Sequence, residues 1–231
     1  MNFCLAGTLP GSSAPATYPA IYQDKHGREQ TEILNDGEVL QMTVRGVRFS
    51  GSDFDGLSPP PEAAPELLAS FVLNQGDLCA CTLRWTMTLP VVCDELEMPA
   101  TLEATLVLDE PDSSWRVTQE QLVLELRSTL GNFRSSGMSG WFEDELLHLQ
   151  SQLPEGSYIK ACITCAWSDY SPIGHGLFGG LACFRENKLA YSQVVSKAQL
   201  FDLWGKATGS VQETFLCPEY SRRRLGAGYR G

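Results

Sequence analysis

Strict alternation of apolar and polar side chains dominates the first half of the chain. From Cys79 to Leu89, Cys79, Cys81, Leu83, Trp85, Met87 and Leu89 share one side, while Ala80, Thr82, Arg84, Thr86 and Thr88 share the other. A period of two is that of an extended strand with one buried and one wet face. It recurs in Leu102, Ala104, Leu106 and Leu108 and again in Leu122, Leu124 and Leu126, with Glu103, Thr105, Glu125 and Arg127 facing outward. Between Ile21 and Phe49 two apolar runs flank Asn35-Asp36-Gly37. An Asp-Gly pair supplies the positive φ of a tight turn, which predicts a β-hairpin whose second strand carries Leu40, Met42 and Val44 on one face. One-faced strands need a covering layer, and antiparallel sheets tolerate a wet face, so residues 18–130 are expected to form an antiparallel sandwich or curled sheet.

The period changes beyond Gly131. Phe142, Leu146, Leu149 and Leu153 recur at helical spacing, with Glu143, Asp144 and Glu145 in the first turn, which predicts a helix from about Trp141 to Gln152. A second helix is expected to open at Ser196, capped by its hydroxyl with Gln199 reaching back, and to end at Gly205 or Gly209. Ser58–Pro65, SPPPEAAP, reads as a loop because proline lacks the amide donor and fixes φ, with strands resuming after it. The pattern divides the chain into a lead-in of residues 1–17, a β-rich part of 18–130, an α/β part of 131–220 and a basic, glycine-rich tail of 221–231. The expected class is α+β, with the β-rich part packed on a smaller, zinc-stapled C-terminal part.

Composition narrows the function classes. A net charge of −11 repels phosphate backbones and anionic lipid, so nucleic acid and membrane surfaces are poor partners and a basic protein is the easier one. The first twenty residues lack the charged and apolar regions of a signal peptide, and no long apolar run occurs, which points to a cytoplasmic chain. In a reducing compartment a close cysteine pair reads as metal-binding or catalytic before it reads as a disulfide.

Of the eight cysteines, Cys162 and Cys165 have the two-residue gap that aims both thiolates of one turn at a single ion. Cys183 and Cys217 complete a tetrahedral set with the order C-x2-C-x17-C-x33-C, and the expectation is a structural zinc site. Two other readings stand beside it: a dithiol redox pair, which would ordinarily open a helix, and buried thiols acting as small apolar side chains. Cys79 and Cys81 fall on the apolar face of a strand and read as core. Together with Cys93 they invite a second metal site, with core packing the stronger reading, and Cys4 has no evident partner.

No deaminase H-x-E with P-C-x-x-C, no H-E-x-x-H and no P-loop occurs, and no catalytic residue is assigned. The expected function is that of a non-enzymatic, zinc-stabilised protein-interaction module, immunity-like or regulatory; the alternative is a zinc-dependent hydrolase in which one thiol is not a ligand and His175 or Asp169 acts beside metal-bound water. Ser168, Asp169 and Ser171 read as a turn supporting the cysteine knuckle, and Gln212 and Glu213 as the nearest groups to brace its ligands. Arg222, Arg223, Arg224 and Arg230 in the tail read first as solvated, with docking on the acidic body as the other choice.

The segments CITCAWSDYSPIGHGLFGGLACFR, GWFEDELLHLQSQLPEG, VQETFLCPEY and the closing GYRG resemble a bacterial family of unknown function common in actinomycetes. Gly226-Ala227-Gly228 resembles a Gly-Thr-Gly version associated with that family, a minor departure. The resemblance implies a bacterial, cytoplasmic setting and brings no activity with it.

Overall fold

The computed structural model describes residues 16–36, 39–111, 120–172, 180–224, 226 and 228–230. The β-rich part is one eight-stranded antiparallel sheet in place of two packed sheets. Its strands are β1 (Ala16–Asp24), β2 (Gly27–Asn35), β3 (Leu40–Val44), β4 (Val47–Gly51), β7 (Cys81–Thr88), β10 (Thr101–Leu108), β11 (Glu120–Ser128) and β12 (Gly131–Arg134), in the order β12-β11-β10-β7-β1-β2-β3-β4. Shorter pieces intervene: helix α1 (Pro65–Leu68), a β5 (Val72–Asn74) and β6 (Asp77–Cys79) hairpin, and the β8 (Val91–Cys93) and β9 (Leu96–Met98) hairpin. The C-terminal part holds α2 (Phe142–Gln152), β13 (Tyr158–Ile159), β14 (Ser168–Asp169), β15 (Gly180–Cys183), α3 (Lys188–Ser192), α4 (Lys197–Trp204) and β16 (Gly209–Gln212). The mixture is a β-rich α+β fold. No described helix is long and apolar enough to cross a membrane.

Register explains the alternation. Leu83 lies opposite Tyr22 on one side and Leu106 on the other, and Leu106 faces Leu122, so each row of the inner face is a row of apolar cross-strand neighbours. Trp85, Ala104 and Leu124 form the next row, and all are buried. The hidden face is covered by Phe54, stacked on Trp85 at 4.0 Å between ring centroids, by Leu57, Phe71 and Leu78, and by Phe142, Leu146 and Leu149 of α2. The same core continues into Ile159, Cys162, Ile163, Leu181 and Val211. A second small core gathers Phe184, Tyr191, Val194, Leu200 and Leu203 under α3 and α4.

Three expectations need correction. The stretch Ile21–Phe49 holds parts of four strands, because two-residue turns at Lys25-His26 and Arg45-Gly46 divide it further. Arg45 (φ 49°) and Gly46 (φ 76°) both lie in the left-handed region, the geometry that matches the twist of a tight hairpin. The alternation from Cys79 to Leu89 is not one strand, since Ala80 takes φ 52° and ends β6 before β7 begins. After the proline loop comes α1, not a strand directly. The expected hairpin is β2–β3, with Ile33 opposite Met42 and Leu40, Met42 and Val44 all buried, although Gly37 lies outside the described residues. Helix α4 is capped as expected by Ser196, whose hydroxyl accepts from the Gln199 amide at 3.3 Å, while Gln199 reaches one residue further back, to the Val195 amide.

Two buried carboxylates tie loops to this frame. Asp24 accepts from Arg45 and from the His26 amide at 2.8 Å, while Arg45 also donates to the Ser70 carbonyl and lies against the Tyr22 and Phe71 rings. Glu145, fully buried in the first turn of α2, is no mere dipole partner: it accepts from the Gly137 amide at 2.8 Å, the Ser139 amide at 3.0 Å and the Ser139 hydroxyl at 2.6 Å. Burial alone would raise both carboxyls, but Arg45, the His26 amide and the Tyr22 hydroxyl outweigh it at Asp24, and the hydroxyls of Ser135 and Ser139 with two amides outweigh it at Glu145. Each is held at about 2.

A folded-state value below the unfolded one means that the stabilisation is complete above the unfolded value and fades as the pH falls towards the folded one. Asp55 acts oppositely: burial and the charges of Glu120, Asp53 and Asp77 raise it to about 6, so its ionisation costs stability as the pH rises past the unfolded value. Urea denaturation as a function of pH is expected to show a shallow gain from pH 7 to 5 and a steep loss from about 5 to 2. A flat profile below pH 5 would contradict both carboxylate assignments.

Candidate metal centre

The site forms where three short elements meet. After β13 the chain makes a single 3-10 turn, Cys162–Thr164, closed by the Cys165 amide on the Cys162 carbonyl at 3.1 Å. Two amides of that turn are anchored on the segment after β16, Cys162 on Phe215 O and Ile163 on Glu213 O, each at 2.9 Å. Cys183 ends β15, between Ser168 on one side and Gly209 on the other. Cys217 opens the turn Cys217-Pro218-Glu219-Tyr220, closed by the Tyr220 amide on the Cys217 carbonyl at 3.0 Å, with proline at the position where its fixed φ is wanted.

The four thiols are thus drawn from residues 55 positions apart into one buried region, and their exposures of 2%, 4%, 5% and 6% exclude bulk water. Two of them accept a hydrogen bond from the amide two residues on: Glu219 N to Cys217 Sγ at 3.4 Å, and Arg185 N to Cys183. Arg185 also sends its Nη1 to Cys217 Sγ at 3.8 Å. Burial pushes the Cys162 thiol well above its ordinary value; the charges of Cys165, Cys183 and Cys217 push the same way and Arg185 opposes them. Burial likewise raises Cys183, against the amide and guanidinium of Arg185. Such thiols are the reverse of an activated redox pair, whose first sulfur is depressed by a helix end.

Among the described residues no three or more His, Cys, Asp or Glu side chains converge closely enough to hold a metal ion. The thiols feel one another's charge and stop short of a ready coordination shell. As donors they suit zinc, being all sulfur, shielded from water and partly charge-compensated.

Other expected participants have other partners. Glu213 accepts from the Tyr170 hydroxyl at 2.9 Å. The Ser168 hydroxyl donates to the Cys162 carbonyl at 2.6 Å. Asp169 accepts from the Tyr191 hydroxyl at 2.9 Å and the Tyr170 amide at 3.0 Å. Cys79 and Cys81 are buried in the β-rich part, and Cys93 is half-buried in β8. His175 and Cys4 lie outside the described residues.

The tail is docked in part, through Arg222, Arg223, Gly228 and Arg230, where solvation was the first reading, while Arg224 is exposed. Arg222 bridges Cys165 and lies over the Tyr158 ring at 4.2 Å. The Arg223 amide donates to Thr164 O at 2.8 Å, and its guanidinium bonds the Ser168 carbonyl and the Tyr191 hydroxyl. Arg230 pairs with Glu143 at 2.9 Å and covers the Tyr170 ring. Gly228 (φ 70°) sits so close to Tyr191 that a Cβ there would lie 2.5 Å from the ring. Arginines beside aromatics and carboxylates on one acidic body were the available signal for this docking. Arg185 was not legible as the thiols' neighbour, although Cys183 and Cys217 share the spacing to the donating amide.

Residues 16–168 match a family of unknown function, DUF6304, in keeping with the resemblance to an uncharacterised family. No curated protein and no solved structure matches the chain.

Proposed function

Because the chain belongs to the DUF6304 family, which brings no activity with it, we propose from its own geometry that it is a non-enzymatic binding protein whose C-terminal part is clasped by one zinc ion between Cys162, Cys165, Cys183 and Cys217. The observation that carries this reading is the pair of amides donating to Cys183 and Cys217 with Arg185 alongside. Amide-to-sulfur bonds favour the thiolate over the thiol. Four thiolates around a dication leave excess negative charge, part of which a guanidinium offsets. A zinc ion with four sulfur ligands has no open position and supplies folding energy. The reading presupposes a reducing, cytoplasmic setting, and its partner is a basic protein drawn by the net charge of −11.

The rival reading, a zinc-dependent hydrolase, is weakened because both oxygens of Asp169 are already engaged. Protein purified under reducing conditions is expected to carry one zinc per chain. Exchange for Co(II) is expected to give strong thiolate-to-cobalt charge-transfer absorption, and X-ray absorption to show sulfur alone at about 2.3 Å. Three sulfurs and an oxygen would revive the hydrolase; no stoichiometric metal and no cobalt band would end both.

A further inference from the structure

The outward face of the eight-stranded sheet is not a plain wet surface. Strands β7, β1, β2, β3 and β4 line a cavity of about 1000 Å³ on that side, so the sheet curls around solvent there. Its floor holds Pro19, Ile21 and Leu34, the last 41% exposed. Three exposed arginines rim it: Arg28, Arg48 and Arg84. Register sets their places. Arg84 lies directly opposite Ile21, Arg48 opposite Thr43, and Arg28 opposite Gln23 at the turn end of β1–β2.

None of the three makes an ion pair among the described residues, whereas Glu103, which also lines the cavity, is matched by Arg127 at 3.2 Å. Glu32 remains as a single counter-charge in the lining. In a chain of net charge −11, three unmatched cations around an apolar floor mark a place where the local field opposes the global one. A concave low-dielectric wall concentrates such a field.

We propose that this face binds a small amphipathic organic anion, its apolar body on Pro19, Ile21 and Leu34 and its acidic head on the arginine rim. The combination of an apolar floor with few convergent polar groups, at the upper end of ordinary ligand-pocket volumes, is that of a small-molecule site. Arg84 and Arg48 are four strand spacings apart, roughly 19 Å on a flat sheet. One head group therefore engages one side of the rim at a time. The site is independent of the cysteine cluster and stands or falls separately from it.

The probe is 1-anilinonaphthalene-8-sulfonate, an apolar aromatic with one anionic group, titrated by fluorescence into the full-length protein. Saturable binding is expected, displaced by decanoate and not by decanol. Arg84→Glu combined with Arg48→Glu should weaken it about tenfold or more, since charge-assisted bonds are lost and repulsion gained. These side chains are exposed, so melting temperature and near-ultraviolet dichroism should remain those of the parent. Leu34→Asp should weaken binding with the arginines intact. Probe binding equal in parent and double variant would overturn the assignment, as would no saturable binding to the parent. Displacement by a short alternating Glu-Leu peptide at lower concentration than decanoate would overturn it in favour of an extended peptide.

Discussion

Cys165→Ser should unfold the C-terminal part while the eight-stranded sheet persists. If zinc joins the four thiols, its binding free energy is folding free energy, on the order of 10–16 kcal/mol for structural zinc in small peptides at neutral pH. Losing one thiolate forfeits much of that. The loss falls locally, because the turn at Cys162–Thr164 is anchored on Glu213 and Phe215 and carries the tail through Thr164. Thermal unfolding should split, with an early transition reported by Trp167 and Trp204, which pack against the small second core. Proteolysis should open the region after Ile159 first. Cys79→Ser is the matched control: it puts the same hydroxyl into the buried part of the sheet domain, away from the four thiols, and should lower stability without a split transition. An unchanged melting curve for Cys165→Ser would sink the clasp.

The second large effect is expected at Arg45. Asp24 is 4% exposed at its side chain and Arg45 23%, so removing the cation leaves a carboxylate with little access to water. Arg45→Met keeps the stem against Tyr22 and Phe71 and isolates the charge. A cost of about 3 kcal/mol is expected, the low end for breaking a buried pair because the guanidinium retains some solvent. Urea unfolding measures it. The Asp24→Asn, Arg45→Met double variant should recover part of the loss, since no orphaned charge remains. A cost below about 1 kcal/mol, the size of an exposed pair, would show that the link is superficial.

Much of the sheet was legible because burial writes a period of two into the chain, and Leu102–Leu108 and Leu122–Leu126 became β10 and β11 in the register their patterns require. What alternation does not carry is the point where a strand stops. Ala80 adopts left-handed φ without being glycine or asparagine, so that break lacked the usual residue signal, whereas the turn at Arg45 had a glycine only at its second position, Gly46. Nor does alternation carry curvature. Arg28, Arg48 and Arg84 look like three unrelated surface residues until the order β4-β3-β2-β1-β7 places them around one hollow. The spacing of Cys162 and Cys165 was legible as one tight turn. The buried Glu145 and the packed tail were hidden for a common reason: charged side chains are read as solvent-facing unless their partners are known, and those partners lie far off in sequence.

The packed tail also bears on the order in which the molecule can be assembled. Ribosomal synthesis delivers residues 217–230 after every group they hold: Thr164, Ser168, Tyr191 and Glu143 have all emerged by then. The sheet from β1 to β12 is complete in sequence by Arg134, and Phe54, Leu57, Phe71 and Leu78 are already present to cover part of its hidden face, with α2 following soon after. The turn bearing Cys162 and Cys165 must wait for partners still to be translated. During that interval two thiols of the four stand without the other half of their clasp, and the nascent chain passes through a stage in which a finished sheet carries an unlatched appendage.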